Sequence, residues 1–297
     1  MASFVHGAFH GPQRLRELLA APGPLLAPGA YDALSARIVE AAGFGAVYMT
    51  GFGVAASLLG RPDVGLLTQT EMVDQARRIV QAVSIPVIAD ADTGYGNPIN
   101  VMRTVQEYEQ AGVAAIHLED QVTPKRCGHM DGKELISAAE MVRKLEAAVA
   151  ARQSPDFVII ARTDARAVEG LPAALERAQR YRDAGADILF VEAPQSAEEI
   201  ATIAQHFPDV PLLFNWAIGK TPPMPLERLR DLGFRLIIFP STLLFAAFQT
   251  MQAVAEQIRT DGSPIALVAQ QPSFGTFTDF IGLPEIDALQ IRFKADQ

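Results

Sequence analysis

Short apolar runs recur along the chain, and each is followed by a polar or Gly-rich loop and an amphipathic segment. Most of these runs are continuously apolar, which is typical of strands buried on both faces of a parallel sheet. We predict eight strands, at residues 24–28, 46–51, 86–91, 114–119, 157–162, 187–192, 210–215 and 235–240. Eight strands with helices between them predict a closed (β/α)8 barrel, with an open doubly wound sheet as the alternative.

The segments between the strands carry sequence signals for helix ends. Four glycines follow apolar-periodic segments, as expected of residues that end helices. They are Gly43, Gly112, Gly185 and Gly233. Three Ser/Thr–Glu pairs have capping-box spacing, in which each side chain satisfies a free backbone donor of the other. The pairs are Thr68 with Glu71, Ser137 with Glu140, and Ser196 with Glu199.

No linker or composition break divides the chain, so we predict one barrel domain over 1–297. The pattern changes after about residue 260, where Asp261 and Gly262 predict a turn. Residues 274–293 then predict further helix, within an arm that spans about 260–297. We expect this arm to contact another subunit, with a cap on the barrel as the alternative.

Composition excludes several classes of protein. The 297 residues include 34 acidic and 25 basic ones, and 49% are apolar, which rules out a disordered chain. A net charge of −9 without long Lys/Arg runs argues against nucleic-acid or membrane-surface binding. The uncharged residues 41–60 contain five glycines and predict a strand and loop better than a membrane helix. We therefore expect a soluble, cytoplasmic protein, and a small anionic substrate stays compatible with the acidic chain because a local site can be cationic.

Polar side chains lie at the carboxyl end of nearly every predicted strand. In (β/α)8 enzymes this end of the barrel holds the active site, because its loops converge on one mouth. The positions are Asp32, Tyr48, Thr50, Asp90, Asp92, Glu119, Asp120, Arg162, Asp164, Glu192, Asn215 and Ser241. Tyr48 taken alone is best explained as a core aromatic, and Arg162 with Glu192 has a structural ion pair as its alternative.

Three of these carboxylates predict a metal site. Asp90 and Asp92 lie at the exit of the third strand, and Glu119 ends the adjacent strand. Convergent oxygen ligands without cysteine or clustered histidine suit Mg²⁺, with Mn²⁺ as the alternative. The competing interpretation is that each carboxylate caps the helix that follows it.

The loop after the fourth strand carries the only cysteine of the chain, Cys127. It lies between Lys125, Arg126, Gly128 and His129. Cationic neighbours would lower the pKa of the thiol and attract a dianionic substrate. A lone cysteine is more often an inert core residue, but this one is in a polar loop. One cysteine excludes both an intrachain disulfide and a thiolate zinc cluster, and no phosphate-loop or dinucleotide-binding motif is present.

Several segments resemble motifs of the isocitrate lyase/phosphoenolpyruvate mutase superfamily, and most closely those of its 2,3-dimethylmalate lyase and 2-methylisocitrate lyase branch. The resemblance runs in order from about residue 13 to 294. The segments are Ala27-Pro-Gly-Ala-Tyr-Asp-Ala-Leu-Ser35, Asp90-Ala-Asp-Thr-Gly-Tyr-Gly96, His117-Leu-Glu-Asp-Gln121, Lys125-Arg-Cys-Gly-His129, Ile160-Ala-Arg-Thr-Asp164 and Val191-Glu-Ala193.

The resemblance implies a barrel whose last helix is exchanged between paired subunits, in a homotetramer built as a dimer of such dimers. It also implies Mg²⁺ at Asp90, with Asp92, Glu119 and Asp63 acting directly or through water. The implied substrate-binding residues are Thr50, Gly51, Phe52, Gly128, Arg162, Glu192 and Asn215.

We expect a carbon–carbon lyase that cleaves a substituted malate, or a related 2-hydroxy di- or tricarboxylate, to a 2-oxo acid such as pyruvate and a carboxylic acid. Tyr48 is the candidate base, Cys127 the general acid, and Lys125 and His129 the cations that stabilise the departing enediolate. The alternatives are phosphorus–carbon chemistry of the carboxyphosphonoenolpyruvate or phosphoenolpyruvate mutase type, and an oxaloacetate hydrolase or decarboxylase. A non-catalytic barrel is disfavoured, because the implied metal-facing carboxylates and Cys127 are all present.

One loop departs from the pattern of this branch, which typically has Asn-x-x-Glu-Gly-Gly-Lys-Thr-Pro. Here the run is Asn215-Trp-Ala-Ile-Gly-Lys-Thr-Pro222, so Ile218 replaces the glutamate and one glycine is missing. Trp216 and Ile218 indicate a more apolar outer pocket, or else they pack beneath the loop. The exact substrate therefore stays open.

Overall fold

The computed structural model describes residues 11–128 and 130–294, without the side chain of Gln270. All eight predicted strands are present, with ends shifted by two residues at most. They are β1 Leu25–Ala30, β2 Val47–Met49, β3 Val87–Asp90, β4 Ala115–Glu119, β5 Val158–Thr163, β6 Ile188–Val191, β7 Leu212–Asn215 and β8 Phe234–Phe239. Neighbouring strands pair in parallel, and β1 pairs with β8. The sheet is therefore a closed barrel, which excludes the open-sheet alternative.

Helices surround this barrel and extend beyond it. They are α1 Gly11–Ala20, α2 Ala33–Ala41, α3 Gly51–Leu59, α4 Gln69–Ala82, α5 Pro98–Gln110, α6 Ala138–Ala151, α7 Ala165–Val168, α8 Leu171–Asp183, α9 Ala197–His206, α10 Leu226–Asp231, α11 Thr242–Asp261, α12 Phe274–Phe280 and α13 Leu283–Arg292, with a 3₁₀ helix at Ile265–Gln270.

The strands are apolar on both faces because each face packs against a different part of the core. Tyr48, Ile88 and Ile160 belong to the cluster that fills the barrel. Met49 and Ile159, one residue away, pack in the layer between the barrel and the helices. Successive side chains of a strand point to opposite faces, so both sets must be apolar. Only the strand ends are left for polar side chains.

The predicted helix signals are confirmed in part. Gly43, Gly112, Gly185 and Gly233 all have positive φ angles, the conformation that glycine adopts at helix ends. Thr68 and Glu71 form a complete capping box. Ser137 and Ser196 accept only the forward hydrogen bond, from Glu140 N–H and Glu199 N–H. The Glu199 carboxylate instead accepts from the N–H of Gln195, the residue before the cap, at 2.8 Å and pairs with Arg166 at 2.6 Å.

The predicted turn at Asp261–Gly262 ends α11, where Gly262 adopts the left-handed conformation. The helix predicted over residues 274–293 consists of two helices, α12 and α13, separated at Gly282 with a φ of 99°. A guanidinium nitrogen of Arg37 on α2 donates to the carbonyl of Phe280 at 3.1 Å, which ties this arm to the barrel. Within the described ranges, the helices are too short or too polar to cross a membrane.

Candidate active site

The carboxyl ends of the strands enclose a cavity of about 290 Å³. Eleven of the fifteen predicted site residues line it: Tyr48, Thr50, Phe52, Asp63, Asp90, Lys125, Cys127, Gly128, Arg162, Glu192 and Asn215. Gly51, Asp92 and Glu119 lie behind this wall. His129 falls outside the described residues. Of the apolar part of the lining, sequence reasoning named Ile218 and missed Met130, Phe190, Ala217, Pro240 and Phe245.

Asp90 is fixed by backbone donors from two loops. One carboxylate oxygen accepts from the N–H of Asp92 at 2.9 Å, and the other accepts from the N–H of Gly51 at 3.2 Å. A Cβ at position 51 would lie 2.5 Å from the carboxylate, so this approach requires glycine. Gly51 was predicted to bind substrate, but its N–H is directed at Asp90 instead. Its neighbour Thr50 caps α3 by accepting from Gly53 N–H, which leaves the Thr50 hydroxyl proton as a donor.

Lys125 lies between two of the predicted metal ligands. Its ammonium nitrogen is 2.7 Å from an Asp63 oxygen and 2.8 Å from an Asp92 oxygen, and its side chain is buried. Lys125 was predicted to stabilise a departing anion, and the structure shows that its charge is already shared by these two carboxylates. Asp92 does not cap a helix, and it turns the chain with a φ of 48°.

Glu119 is a buried carboxyl group with few partners. An oxygen of Glu119 is 3.2 Å from an Arg162 nitrogen, but neither Glu119 oxygen makes a hydrogen bond to the described residues. Burial raises the pKa of Glu119 well above its ordinary value. Burial also raises the pKa of Asp92 from its ordinary 3.8 to about 6. The positive charges around Glu119 and Asp92 therefore do not fully compensate for the burial of these carboxylates.

The chemistry of this cluster fits a divalent cation. The described residues form no closed group of three carboxylate, imidazole or thiolate ligands around one point. Mg²⁺ does not need such a cage, since it usually keeps several waters and binds through one or two carboxylates. Buried carboxylate oxygens without hydrogen bonds, as at Glu119, are the donors that such an ion would use.

Tyr48 contacts a histidine that sequence reasoning did not place in the site. The Tyr48 hydroxyl is 2.7 Å from His117 Nε2, which is 3.4 Å from an Asp90 oxygen. Burial lowers the pKa of His117 from 6.5 to about 4, so its imidazole is neutral at pH 7. Burial likewise raises the pKa of Tyr48 well above its ordinary value. His117 and Glu119 are two residues apart on β4, a spacing that predicts both side chains on the inner face.

Arg162 is held by carboxylates on three sides. Two of its nitrogens donate to Asp164 at 3.0 and 3.1 Å, and one of these lies 3.7 Å from Glu192. Asn215 donates to both Glu192 oxygens, at 3.1 and 3.3 Å. The ion pair predicted as an alternative is therefore present. It also faces the cavity, so the two interpretations are compatible.

The cysteine loop lies directly over the cavity. The Cys127 N–H donates to the Asp63 carbonyl at 3.1 Å, and the Met130 N–H donates back to the Cys127 carbonyl at 2.8 Å. Cys127 is half-buried and lines the cavity. Arg126 is exposed, and its guanidinium contacts the Asp131 carbonyl at 3.4 Å. Of the cationic residues predicted to surround the thiol, Lys125 is thus the one that lines the cavity with Cys127, among the described residues.

The loop after β7 contains Trp216 and Ile218, which were predicted either to line an apolar outer pocket or to pack beneath the loop. The structure places these two residues differently. The Trp216 ring stacks on Phe239 with centroids 5.8 Å apart, so it packs beneath the loop. Ile218 is 56% exposed and lines the cavity together with Lys220. A bond from the Thr221 hydroxyl to the Asn215 carbonyl, at 2.8 Å, closes this short loop.

A closed (β/α)8 barrel with buried acids, an arginine and a thiol at one mouth is the arrangement of a (β/α)8 enzyme. The chain belongs to the phosphoenolpyruvate phosphomutase family, whose model matches residues 15–259.

Individual relatives narrow this assignment. The chain is 48% identical to 2,3-dimethylmalate lyase of Eubacterium barkeri, over 94% of this chain and 97% of that one. A crystal structure of 2,3-dimethylmalate lyase superposes with a TM-score of 0.92 at 40% identity, covering 97% of each chain. A phosphonopyruvate hydrolase complex with oxalate and Mg²⁺ has a TM-score of 0.88 at 33% identity, covering 96% of this chain and 99% of that one. The predicted superfamily and fold are confirmed.

Asp92 should give the metal-free protein a characteristic pH dependence of stability. Because the folded state raises the pKa of Asp92 to about 6, it binds this proton more tightly than the unfolded chain does. That stabilisation is complete below pH 3.8 and is lost as the pH rises through about 6. In EDTA, Asp92→Asn should therefore gain about 3 kcal/mol in free energy of unfolding relative to wild type across this window. Urea unfolding between pH 4 and 7 measures this gain, and a difference that does not change with pH would contradict it.

Proposed function

We propose that this protein is a Mg²⁺-dependent carbon–carbon lyase that cleaves a substituted malate, or a related 2-hydroxy di- or tricarboxylate, to a 2-oxo acid such as pyruvate and a carboxylic acid. The observation that carries this proposal is the convergence of Asp90, Arg162 and Cys127 on one cavity. The 48% identity to a 2,3-dimethylmalate lyase over nearly the whole chain supports the same reaction class.

The polar half of the cavity suits the 2-hydroxycarboxylate end of such a substrate. Arg162 would pair with the carboxylate, and Thr50 and Asn215 offer neutral donors beside it. Asp90, Asp92 and Glu119, with Asp63, would hold Mg²⁺, for which Mn²⁺ is the alternative. When bound, the ion would polarise the hydroxyl and carboxylate of the substrate.

Tyr48 and His117 together would remove the hydroxyl proton. Tyr48 ionises poorly on its own because it is buried. At 2.7 Å, His117 Nε2 would hold the Tyr48 hydroxyl against the substrate hydroxyl, and the phenolate form of Tyr48 would take the substrate proton. Because the pKa of His117 is lowered to about 4, its neutral imidazole would position Tyr48 and would not keep the proton. The C–O bond then becomes a carbonyl, the carbon–carbon bond breaks, and its electron pair moves into the enediolate of the departing carboxylate.

Cys127 would complete the reaction as general acid. Its residue lines the cavity, and the thiol would protonate the enediolate carbon. Lys125 and His129 are proposed to stabilise the negative charge that develops. The thiol must stay reduced to act in this way, which supports a cytoplasmic enzyme.

Replacing the thiol tests this assignment. Cys127→Ser should lower pyruvate release from 2,3-dimethylmalate, 2-methylisocitrate or a simpler alkylmalate by about 10²-fold or more, because a hydroxyl is a much weaker acid. Lactate dehydrogenase coupling measures the pyruvate, with EDTA as the metal control, and titration calorimetry should show unchanged Mg²⁺ affinity. Near-full activity of the variant would overturn the acid role.

The second candidate is phosphorus–carbon chemistry, or hydrolysis or decarboxylation of oxaloacetate. It is favoured by the shortened loop at Ile218 and by the likeness to a phosphonopyruvate hydrolase. Wild-type protein that binds Mg²⁺ and oxalate but releases no pyruvate from the lyase substrates would favour this candidate over the first.

Ile218 is proposed to select an apolar group at the outer end of the substrate. Ile218→Glu places a charge against that group and should lower kcat/KM for an alkylmalate with an apolar outer group about tenfold, whereas Ile218→Val should change it about twofold at most. Steady-state kinetics with both variants measures this. Equal kcat/KM for the two variants would show that the loop does not select the substrate.

We infer that the chain is one domain and that its arm, from about residue 260, joins subunits by helix exchange into a homotetramer. Within the described ranges, α11, α12 and α13 contain no buried residue, and large apolar side chains such as Phe274 are exposed on them. Apolar surface of this extent is typical of an interface between subunits.

Sedimentation velocity of the full-length protein tests the arm. Phe274→Glu should shift the protein to a smaller assembly, because a charge would be buried at the interface. Gln271→Glu adds the same charge at an exposed polar position and should leave the assembly unchanged. Wild-type protein that sediments as a monomer would contradict the proposal.

A further inference from the structure

Lys133 is a buried cation in the segment that follows the cysteine loop, outside the cavity wall. Its side chain is only 3% exposed. The ammonium nitrogen lies 3.1 Å from an Asp164 oxygen and also donates to the carbonyl of Gly128. Lys133 therefore connects Asp164, at the end of a barrel strand, to Gly128, the residue that follows Cys127.

Asp164 connects Lys133 to the substrate-facing arginine. The same carboxylate accepts two hydrogen bonds from Arg162, at 3.0 and 3.1 Å. Burial alone would raise the pKa of Asp164, but Arg162 and Lys133 lower it to about 2. Asp120 fixes Asp164 in turn by accepting from its N–H at 2.9 Å. Asp164 is thus an ionised carboxylate that is held in place between Arg162 and Lys133.

Gly128 shows why the loop needs such a bridge. A Cβ at this position would lie 2.3 Å from an Arg162 nitrogen and 2.9 Å from a Glu192 carbon, so the loop backbone rests directly on the site. The two ends of the loop are tied to each other, by Val122 N–H to the Glu134 carbonyl at 2.8 Å and by Gln121 to both backbone groups of Arg126. These contacts and the bond from Cys127 N–H to the Asp63 carbonyl hold the loop up to Cys127. Lys133 holds the next residue, Gly128, to the barrel.

We propose that Lys133 is a positioning residue that latches the Cys127 loop over the cavity by bridging the Gly128 carbonyl to the Asp164–Arg162 pair. The latch sets the position of the thiol relative to the group that binds the substrate carboxylate. Lys133 touches neither substrate nor metal ligands, so its removal displaces Cys127 and leaves the carboxylate cluster in place.

The reactivity of the single thiol reports this latch without turnover. Lys133→Met should raise the rate of Cys127 alkylation by iodoacetamide about tenfold, which corresponds to about 1.4 kcal/mol of loop opening. Loss of a nearby positive charge alone would act in the opposite direction, because it disfavours the thiolate. The same variant should lower kcat about 100-fold with unchanged Mg²⁺ affinity in calorimetry.

Two further variants control the experiment. Lys133→Arg keeps the charge and several donors, so it should restore most of the kcat and slow the alkylation again. Lys144→Met removes another buried lysine, which donates to the Thr93 carbonyl at 3.1 Å outside this loop, and should leave the alkylation rate at the wild-type value. Lys133→Gln, which keeps one amide donor, replaces Lys133→Met if the latter does not fold.

Wild-type alkylation rates in both Lys133→Met and Lys133→Gln would overturn the latch, as would faster alkylation in Lys144→Met to the same degree. The latch rests on the proposed function only for the role of Cys127. Wild-type protein without lyase activity would overturn that function, whereas the alkylation rates would still decide whether Lys133 holds the loop.

Discussion

The site depends on an excess of buried negative charge at the carboxyl end of the barrel. Among the described residues, buried carboxylates outnumber buried cations at this end of the barrel, while His117 is neutral. The carboxylates are Asp63, Asp90, Asp92, Glu119, Asp120, Asp164 and Glu192, and the cations are Lys125, Lys133 and Arg162. Burying charges that are not fully compensated is costly, and the raised pKa values of Glu119 and Asp92 reflect this cost. The barrel tolerates it because a large apolar core supports the strands on both faces, and a divalent cation would relieve it.

This charge distribution divides the site into two regions, one around Asp90 and one around Arg162, which suit different ligands. Around Asp90 the carboxylates outnumber the cations, which suits a metal ion. Around Arg162 the guanidinium is held in place by Asp164 and Glu192 and keeps a face toward the cavity. Arginine fixed in this way binds a carboxylate without losing much conformational entropy. The cysteine loop lies over both parts, so its position decides whether the thiol meets a substrate that is held between them.

The boundary between inner polar and outer apolar residues follows from the barrel itself. Side chains near the strand ends are constrained by two neighbouring strands, and charged groups can be held there by several partners. The outer wall comes from loops and from the start of α11, where Ile218 and Phe245 have fewer neighbours and remain partly exposed. Substitutions in the outer wall therefore change substrate choice at little cost to stability, whereas changes at the strand ends affect the fold as well.

The sequence alone determined the eight strands, the barrel, the family and most of the residues that line the cavity. These follow from local patterns, because apolar runs, helix-ending glycines and the placement of polar residues after strands are all readable along the chain. The tertiary structure decided which polar groups contact one another. It assigned Lys125 to Asp63 and Asp92, Gly51 to Asp90, His117 to Tyr48 and Lys133 to Asp164, which are pairs up to 69 residues apart. Such pairings depend on distances of a few ångströms between strands and loops, and no periodicity in the sequence encodes them.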